Sequence, residues 1–446
     1  MAPEGASLVA LLRRRSRLIA FGVVAMIGTA VFAALADDGH EPRHTVAVDR
    51  AVRLLFPDAR LSEKVEVSEV VVAPEGDVVY TLVRFRGAER ALAAWNPEDG
   101  SLAWVRPLNT SSATLAAGRG WVAATTAFPL ATLMAFDARD GALRFQELVP
   151  GNPLALAADG ATLALAYQAA GNPVLVLRDF ADPVTVAFPG FVRALDVANG
   201  TVAGGTQGGQ VLAWREGRVL LNTSGGASVR SIRLDATGSI LVVGGFSPDP
   251  VDLSGAVSLF ALPENGPGRL VWSRITGSGV SFVDVSADGR RILAMQERPG
   301  RFILDFFDAS RDVLWTFDAE GAVAHNDDGS NAGAALSRDG RHVVVAPLAG
   351  DIVFLDLDRR EARWTYGVVG ATSASFGGPA GNILATDART TAQRGYDRLL
   401  LFDPDEEPLI RDPDRLVPML VTLEALAVAT ILAWDAAGAG RPARRD

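Results

Sequence analysis

The chain has 446 residues, 49% of them hydrophobic, which leaves about three compact domains or one repetitive body rather than a single ordinary core. Its 42 basic and 52 acidic residues give a net charge of −10, which argues against a general nucleic-acid binder. There is no cysteine, so disulfides, thiolate metal sites and cysteine nucleophiles are excluded, while 45 glycines and 24 prolines favour a turn-rich β protein.

Residues 1–17 form a basic tail that ends in Arg13, Arg14, Arg15 and Arg17. Residues 18–36 carry no charge, and as a helix they would be roughly 28 Å long, close to the ~30 Å hydrocarbon core of a bilayer. Basic residues are retained on the cytoplasmic side, so the chain that continues at Asp37 and Asp38 is expected to be extracytoplasmic. Ala34-Leu35-Ala36 is also the small-x-small pattern of a signal-peptidase site. The segment therefore reads as an uncleaved transmembrane helix or as a signal peptide, and both export the repeats beyond it. Residues 37–64 read as a linker with solvated His40 and His44, although residues 45–64 could also hold a strand that closes the next body.

Between residues 65 and 412 a turn followed by a β-rich run recurs eight times. Its glycines are Gly76, Gly120, Gly160, Gly200, Gly238, Gly289, Gly340 and Gly381, at spacings of 44, 40, 40, 38, 51, 51 and 41 residues. That period fits one four-stranded propeller blade and is too long for a leucine-rich or helical-hairpin repeat. Residues 333–367 show the four strands plainly, as GAALS, HVVVAPL, DIVFLDL and ARWTYG separated by Gly or charged turns. The expected fold is an all-β propeller of eight four-stranded blades, or seven if the units close differently, with membrane helices at both ends.

A second landmark falls late in several units. Asn96, Gly100 and Trp104 recur at the same offsets as Asp137, Gly141 and Phe145. Asp356 and Trp364 keep that spacing with Arg360 in place of glycine, and Asp308 and Trp315 are one residue closer. These units resemble the quinoprotein-type (PQQ-like) repeat of eight-bladed propellers and are similar to outer WD-type repeats. The resemblance is good in units one, two and seven, weaker in five, six and eight, and poor in three and four. It implies that the aromatic packs between neighbouring blades. It also implies an oxidoreductase alternative, with pyrroloquinoline quinone and calcium in the central funnel. The family's calcium-binding and catalytic positions do not map onto this chain residue by residue, and the vicinal disulfide that many members carry is absent.

The densest polar cluster in the repeats is HNDDGSN, residues 325–331. His325, Asp327, Asp328 and Asn331 are ligand or metal candidates, because their oxygens suit a hard cation such as calcium. The spacing is not that of an EF-hand, and a solvated loop between blades explains the same residues. His342 begins a strand beside a turn and reads as exposed. Gly204 to Gly209 is glycine-rich, as a β-turn run in a repeat would be, and no nucleophile elbow, Walker loop, zinc-protease helix or dinucleotide fingerprint appears. Asn109, Asn199 and Asn222 begin Asn-x-Ser/Thr sequons, which suits an exported domain. Residues 45–412 carry −11, more acidic than the whole chain.

Residues 416–434 are apolar on every side of a helix, with Pro418 in the first turn, and residues 435–446 place Arg441, Arg444 and Arg445 after it. The segment reads as a second transmembrane helix with a cytoplasmic tail, as a processed sorting signal, or as a helix packed on the main domain. Glu424 lies at its midpoint, where an ionised group costs about 2.5–3.5 kcal/mol to insert. An intramembrane carboxylate marks a partner contact by default. Residues 18–36 offer it no basic group, so the expected contact is another subunit's helix.

The expected function is a membrane-tethered, extracytoplasmic propeller that acts as a non-catalytic protein-interaction scaffold or ligand-binding module at the cell membrane. Its expected partners are lipid and an envelope protein, with no nucleic acid. The alternatives are a quinoprotein-like oxidoreductase and a structural subunit of a membrane complex.

Overall fold

A computed structural model describes residues 42–55, 65–85, 89–108, 110, 113–127, 130–224, 228–247, 254–323, 333–378, 381–389 and 397–404. All of them belong to the unit Glu41–Asp405. The other unit, Met1–His40 with Glu406–Asp446, lies outside the described residues, and with it both apolar segments and Glu424. Among the described residues no helix is long and apolar enough to cross a membrane.

Eight antiparallel four-stranded sheets form the ring. Blades one to seven span residues 66–108, 113–148, 152–187, 192–224, 228–276, 280–320 and 334–366, each with its strands in chain order from the channel outward. Blade eight takes its three inner strands from Ala374–Gly377, Ile383–Ala388 and Arg398–Phe402. Its outer strand is His44–Ala47, paired antiparallel with Arg398–Phe402 so that Thr45 faces Leu400 and Val46 faces Leu399. The ring is closed by residues from its own N-terminal end, and the blade count is eight.

Each repeat glycine sits in the turn from the inner strand to the second strand, with φ between 54° and 76°. An L side chain is crowded in that left-handed region and glycine is not. Gly238 has a second reason, since a Cβ there would lie 2.5 Å from the Ala198 carbonyl oxygen of blade four. The turn to the outer strand repeats the pattern at Gly100 and Gly141, both at φ 67°, and at Arg360, at φ 59°. Arg360 holds a glycine's conformation with a side chain attached. Arg360→Gly is therefore expected to stabilise the fold by about 1 kcal/mol in chemical denaturation, because it relieves a left-handed non-glycine residue. Blades three and four lack the Asx-to-glycine spacing because their outer turns are two-residue hairpins, at Asp179-Phe180 and Glu216-Gly217, with all four residues at positive φ.

The late aromatics pack across blade junctions. The Trp104 indole N–H donates to the Ala138 carbonyl of blade two at 2.8 Å, and a Cβ at Gly141 would meet the Trp104 ring at 2.7 Å. Trp272 repeats the bond from blade five to Ala309 of blade six at 2.9 Å. Trp364 stacks on Phe402 of blade eight at 5.1 Å, and Phe145 on Phe180 of blade three at 5.6 Å. Trp315 stacks instead on Phe306 of its own blade at 5.3 Å. In the core shared by blades one and two, the buried Tyr80 hydroxyl has no hydrogen-bond partner among the described residues. A buried unpaired hydroxyl costs about 1–3 kcal/mol. Tyr80→Phe is thus expected to melt at the wild-type temperature or above it, and a clear drop in Tm would show that the hydroxyl is satisfied.

Candidate functional site

The inner strands of neighbouring blades belong to separate sheets and do not pair with one another. Side chains bridge them instead. Glu69 of blade one accepts the Leu115 N–H of blade two at 3.1 Å, and Asp159 of blade three accepts Asn199 N–H of blade four at 2.8 Å. Asp196 accepts Leu234 N–H at 2.7 Å, Ser231 accepts Val283 N–H at 3.1 Å, and Asp284 accepts Leu336 N–H at 2.9 Å, which joins blades four to seven. Ser373 and Ser375 of blade eight accept Val70 N–H and Val72 N–H of blade one at 3.0 and 3.1 Å. Each bridge satisfies a backbone donor that has no strand partner on that side, and the carboxylate bridges are charge-assisted.

Two of these positions, with the inner-strand arginine between them, make the site. Asp196, Arg233 and Asp284 occupy equivalent registers on blades four, five and six, paired with Ala203, Val242 and Leu293 of the respective second strands. They line one wall of a cavity of about 310 Å³ at the end of the channel where the inner strands finish. The opposite wall, from blades seven, eight and one, is formed by Ala335, Phe376, Val72 and Pro74, with Arg338 and Ser375 also lining it. Arg233 stands between the two carboxylates. Its Nε lies 4.0 Å from Asp284 Oδ1, Nη1 donates to the Ile232 carbonyl at 3.0 Å, and the guanidinium covers the Phe282 ring at 5.5 Å. Asp284 also accepts Val285 N–H at 2.9 Å.

Burial dominates the electrostatics. It pushes Asp196 up to about 6, against the opposing pull of Arg233 and of backbone N–H donors. Asp284 is raised for the same reason and is again opposed chiefly by Arg233. The cavity lining therefore holds three carboxylates, Asp159, Asp196 and Asp284, and two guanidiniums, Arg233 and Arg338, which leaves one surplus negative charge when all five are ionised. The quinone–calcium pair implied by the repeat resemblance does not fit this mouth. The Asp196 and Asp284 carboxylates come from blades four and six with the blade-five guanidinium between those blades, so they are not grouped as ligands of one metal ion. Among the described residues no three His, Asp or Glu side chains are grouped to hold a metal ion.

His325, Asp327, Asp328 and Asn331 fall outside the described residues. Asn109 is likewise outside. Asn199 is exposed, in a left-handed conformation with its amide donating to the Thr237 carbonyl at 3.2 Å, and Asn222 is exposed on the outer strand of blade four. His44 is not a solvated linker residue. It lies in the closing strand with Nε2 2.6 Å from the Glu98 carbonyl oxygen, against the turn at Gly100. His342, expected to be exposed, is half-buried and stacks on Phe354 at 5.0 Å. The wall residues did carry a signal. Each is a lone charge between two apolar residues, Leu195-Asp196-Val197, Ile232-Arg233-Leu234 and Val283-Asp284-Val285, four or five residues before its repeat glycine.

No family model matches the chain, and no curated protein sequence does. Among solved structures it is similar to the computationally designed Ika8 protein, at TM-score 0.53 and 14% identity over 76% of this chain and 96% of that one. It is also similar to Sqt1 of Saccharomyces cerevisiae, at TM-score 0.57 and 11% identity over 77% and 96% of the two chains. At such identities the likeness shows the fold alone, so the chain stands as an all-β, eight-bladed propeller.

Proposed function

We propose that this chain is a membrane-tethered, extracytoplasmic propeller that works as a non-catalytic scaffold for a protein partner at the cell membrane. The observation that carries the reading is where the chain enters and leaves the ring. It enters at His44 and leaves after Phe402, on two strands paired to each other, with His44 opposite Leu401. Both apolar segments, 18–36 and 416–434, are thus joined to the ring at one blade, which suits a body held by two anchors at a single place. The channel side chains support the non-catalytic part, since the inner-strand carboxylates are engaged in holding blades together and leave a rigid ring that presents its loops and outer strands. Propellers serve many activities, so the architecture by itself selects none.

The absence of cysteine makes the tether testable. Asn265→Cys places one thiol on an exposed turn of blade five. In intact cells it should react with a membrane-impermeant maleimide, and the chain should stay with the membranes through an alkaline wash. A defined protein should then co-purify in mild detergent. Labelling only after lysis, or release by the wash, would overturn the topology, and purification of the chain alone would overturn the scaffold.

A further inference from the structure

We infer that the channel mouth is a binding site for an organic cation with an apolar body, an amine or guanidinium carried on a short hydrocarbon stem. The inference deepens the non-catalytic reading of the same mouth and rests on it. The cavity, about 310 Å³, is at the lower end of the size range for small-ligand pockets. Its two walls differ in kind. Blades three to six present Asp159, Asp196, Arg233 and Asp284, while blades seven, eight and one present mainly the apolar residues Ala335, Phe376, Val72 and Pro74, with Arg338 and Ser375 beside them.

Charge selects the sign of the guest. Three carboxylates, Asp159, Asp196 and Asp284, stand against two guanidiniums, Arg233 and Arg338, so an entering cation neutralises the one surplus negative charge and an anion adds to it. Hydrogen-bond capacity points the same way. An ionised carboxylate offers about four lone-pair sites and donates nothing. Asp196 Oδ2 accepts Leu234 N–H and Asp284 Oδ2 accepts Leu336 N–H, which leaves acceptor capacity at both residues for incoming N–H donors. The Arg233 and Asp284 side chains are about a fifth exposed, at 18% and 19%, so the wall can be reached from the cavity. A bare metal ion is a poorer guest, because the Asp196 and Asp284 carboxylates come from blades four and six with the blade-five guanidinium between those blades. The apolar wall gives a hydrocarbon stem somewhere to lie, as long cationic side chains do when the head stays on polar groups and the stem packs on apolar surface.

The guest could be a free small cation or the arginine or lysine side chain of a protein partner, and the test separates them. The full chain in detergent is titrated calorimetrically with propylguanidine, with N-acetyl-arginine methylamide and with the uncharged N-acetyl-citrulline methylamide. The arginine compound should bind in the millimolar range and the citrulline compound at least about tenfold more weakly. Asp196→Asn keeps an oxygen for Leu234 N–H and so keeps the blade junction, yet should weaken the arginine compound about tenfold. Ala335→Leu, which narrows the cavity without changing its charge, should weaken every guest. Propylguanidine binding as well as the arginine compound would indicate a free cation, and binding of the arginine compound alone a partner's side chain. Equal binding of arginine and citrulline compounds, no binding at all, or an unchanged affinity in Asp196→Asn would overturn the site. None of those results would touch the scaffold, which stands or falls on topology and co-purification.

Discussion

Val48→Asp is expected to lower the melting temperature of the propeller by roughly 10 °C, from a loss of about 3–4 kcal/mol. Val48 comes directly after the closing strand, is 0% exposed, and its N–H donates to the Asp397 carbonyl at 3.2 Å. With Ala51 and Val52 of the short helix Asp49–Leu55, it packs in a core that also holds Val67, Val83 and Trp95 of blade one and Leu399 and Leu401 of blade eight. A carboxylate there is buried among apolar side chains with no partner, which is costly whether it ionises or takes up a proton. Val313→Asp is the control, the same change at a 37% exposed position on the outer strand of blade six, and should cost under about 1 kcal/mol. Calorimetry on the two variants separates them. Similar melting temperatures would mean that the N-terminal segment does not hold the ring shut.

Stability should rise as the pH falls from about 8 towards 5, the reverse of ordinary acid denaturation. Asp387 accepts Thr372 N–H at 2.8 Å, Ser373 N–H at 2.7 Å and the Thr372 hydroxyl at 2.6 Å, yet burial still pushes it up to about 6. Asp196 stands at about 6 for the same reason, with Arg233 pulling it down and Asp284 pushing it up. A folded-state value above the ordinary carboxylate value near 3.9 means that the folded chain binds protons between those limits that the unfolded chain does not. Each such group therefore adds stability as the pH falls through that window, at up to about 1.4 kcal/mol per pH unit, and withholds it above. Asp137 and Asp308 act the other way. Arg144 and Ser310 respectively, as the main hydrogen-bond donors, hold them below the usual range, so their contribution is lost only as the pH drops below about 4. Together these groups put the maximum in Tm between about pH 4 and 6. Asp387→Asn and Asp196→Asn, which keep the acceptor oxygen, should each flatten the rise between pH 8 and 5. A wild-type Tm that is flat or falls over that interval would contradict the assignment.

The repeat was legible because its signal is local. Eight turns that need a left-handed residue place eight glycines at a blade-length period, and a tryptophan or phenylalanine at a fixed offset marks the junction it fills. Closure was not legible to the same degree. His44–Ala47 is four residues, HTVA, with no turn signal of its own, and its partner strand lies some 350 residues away. Its role exists only once the ring has brought the ends together. The polar inner-strand residues were visible as lone charges in apolar runs. What the runs do not tell is that the neighbour to be bridged is the next blade's backbone, because no local pattern encodes a side-by-side pair of strands some 40 to 50 residues apart. His342 was misread for a related reason. A residue next to a turn is usually exposed, but here the third strand of the same blade brings Phe354 beneath it.

The closing pair is the part of the account on which both the ring and the single point of attachment depend, and a chain without cysteines allows it to be caught directly. Thr45 and Leu400 are cross-strand partners. Partners in an antiparallel pair have Cα atoms about 4.5–5.5 Å apart, within the span of a disulfide. Thr45→Cys combined with Leu400→Cys, oxidised in the full chain and then digested, should leave the N-terminal and C-terminal fragments linked until reductant is added. Thr45→Cys with Leu399→Cys, one residue out of register and directed to the opposite face, should link far less. Failure of the first pair to form, or equal linking by both, would contradict an eighth blade completed by the N-terminal strand.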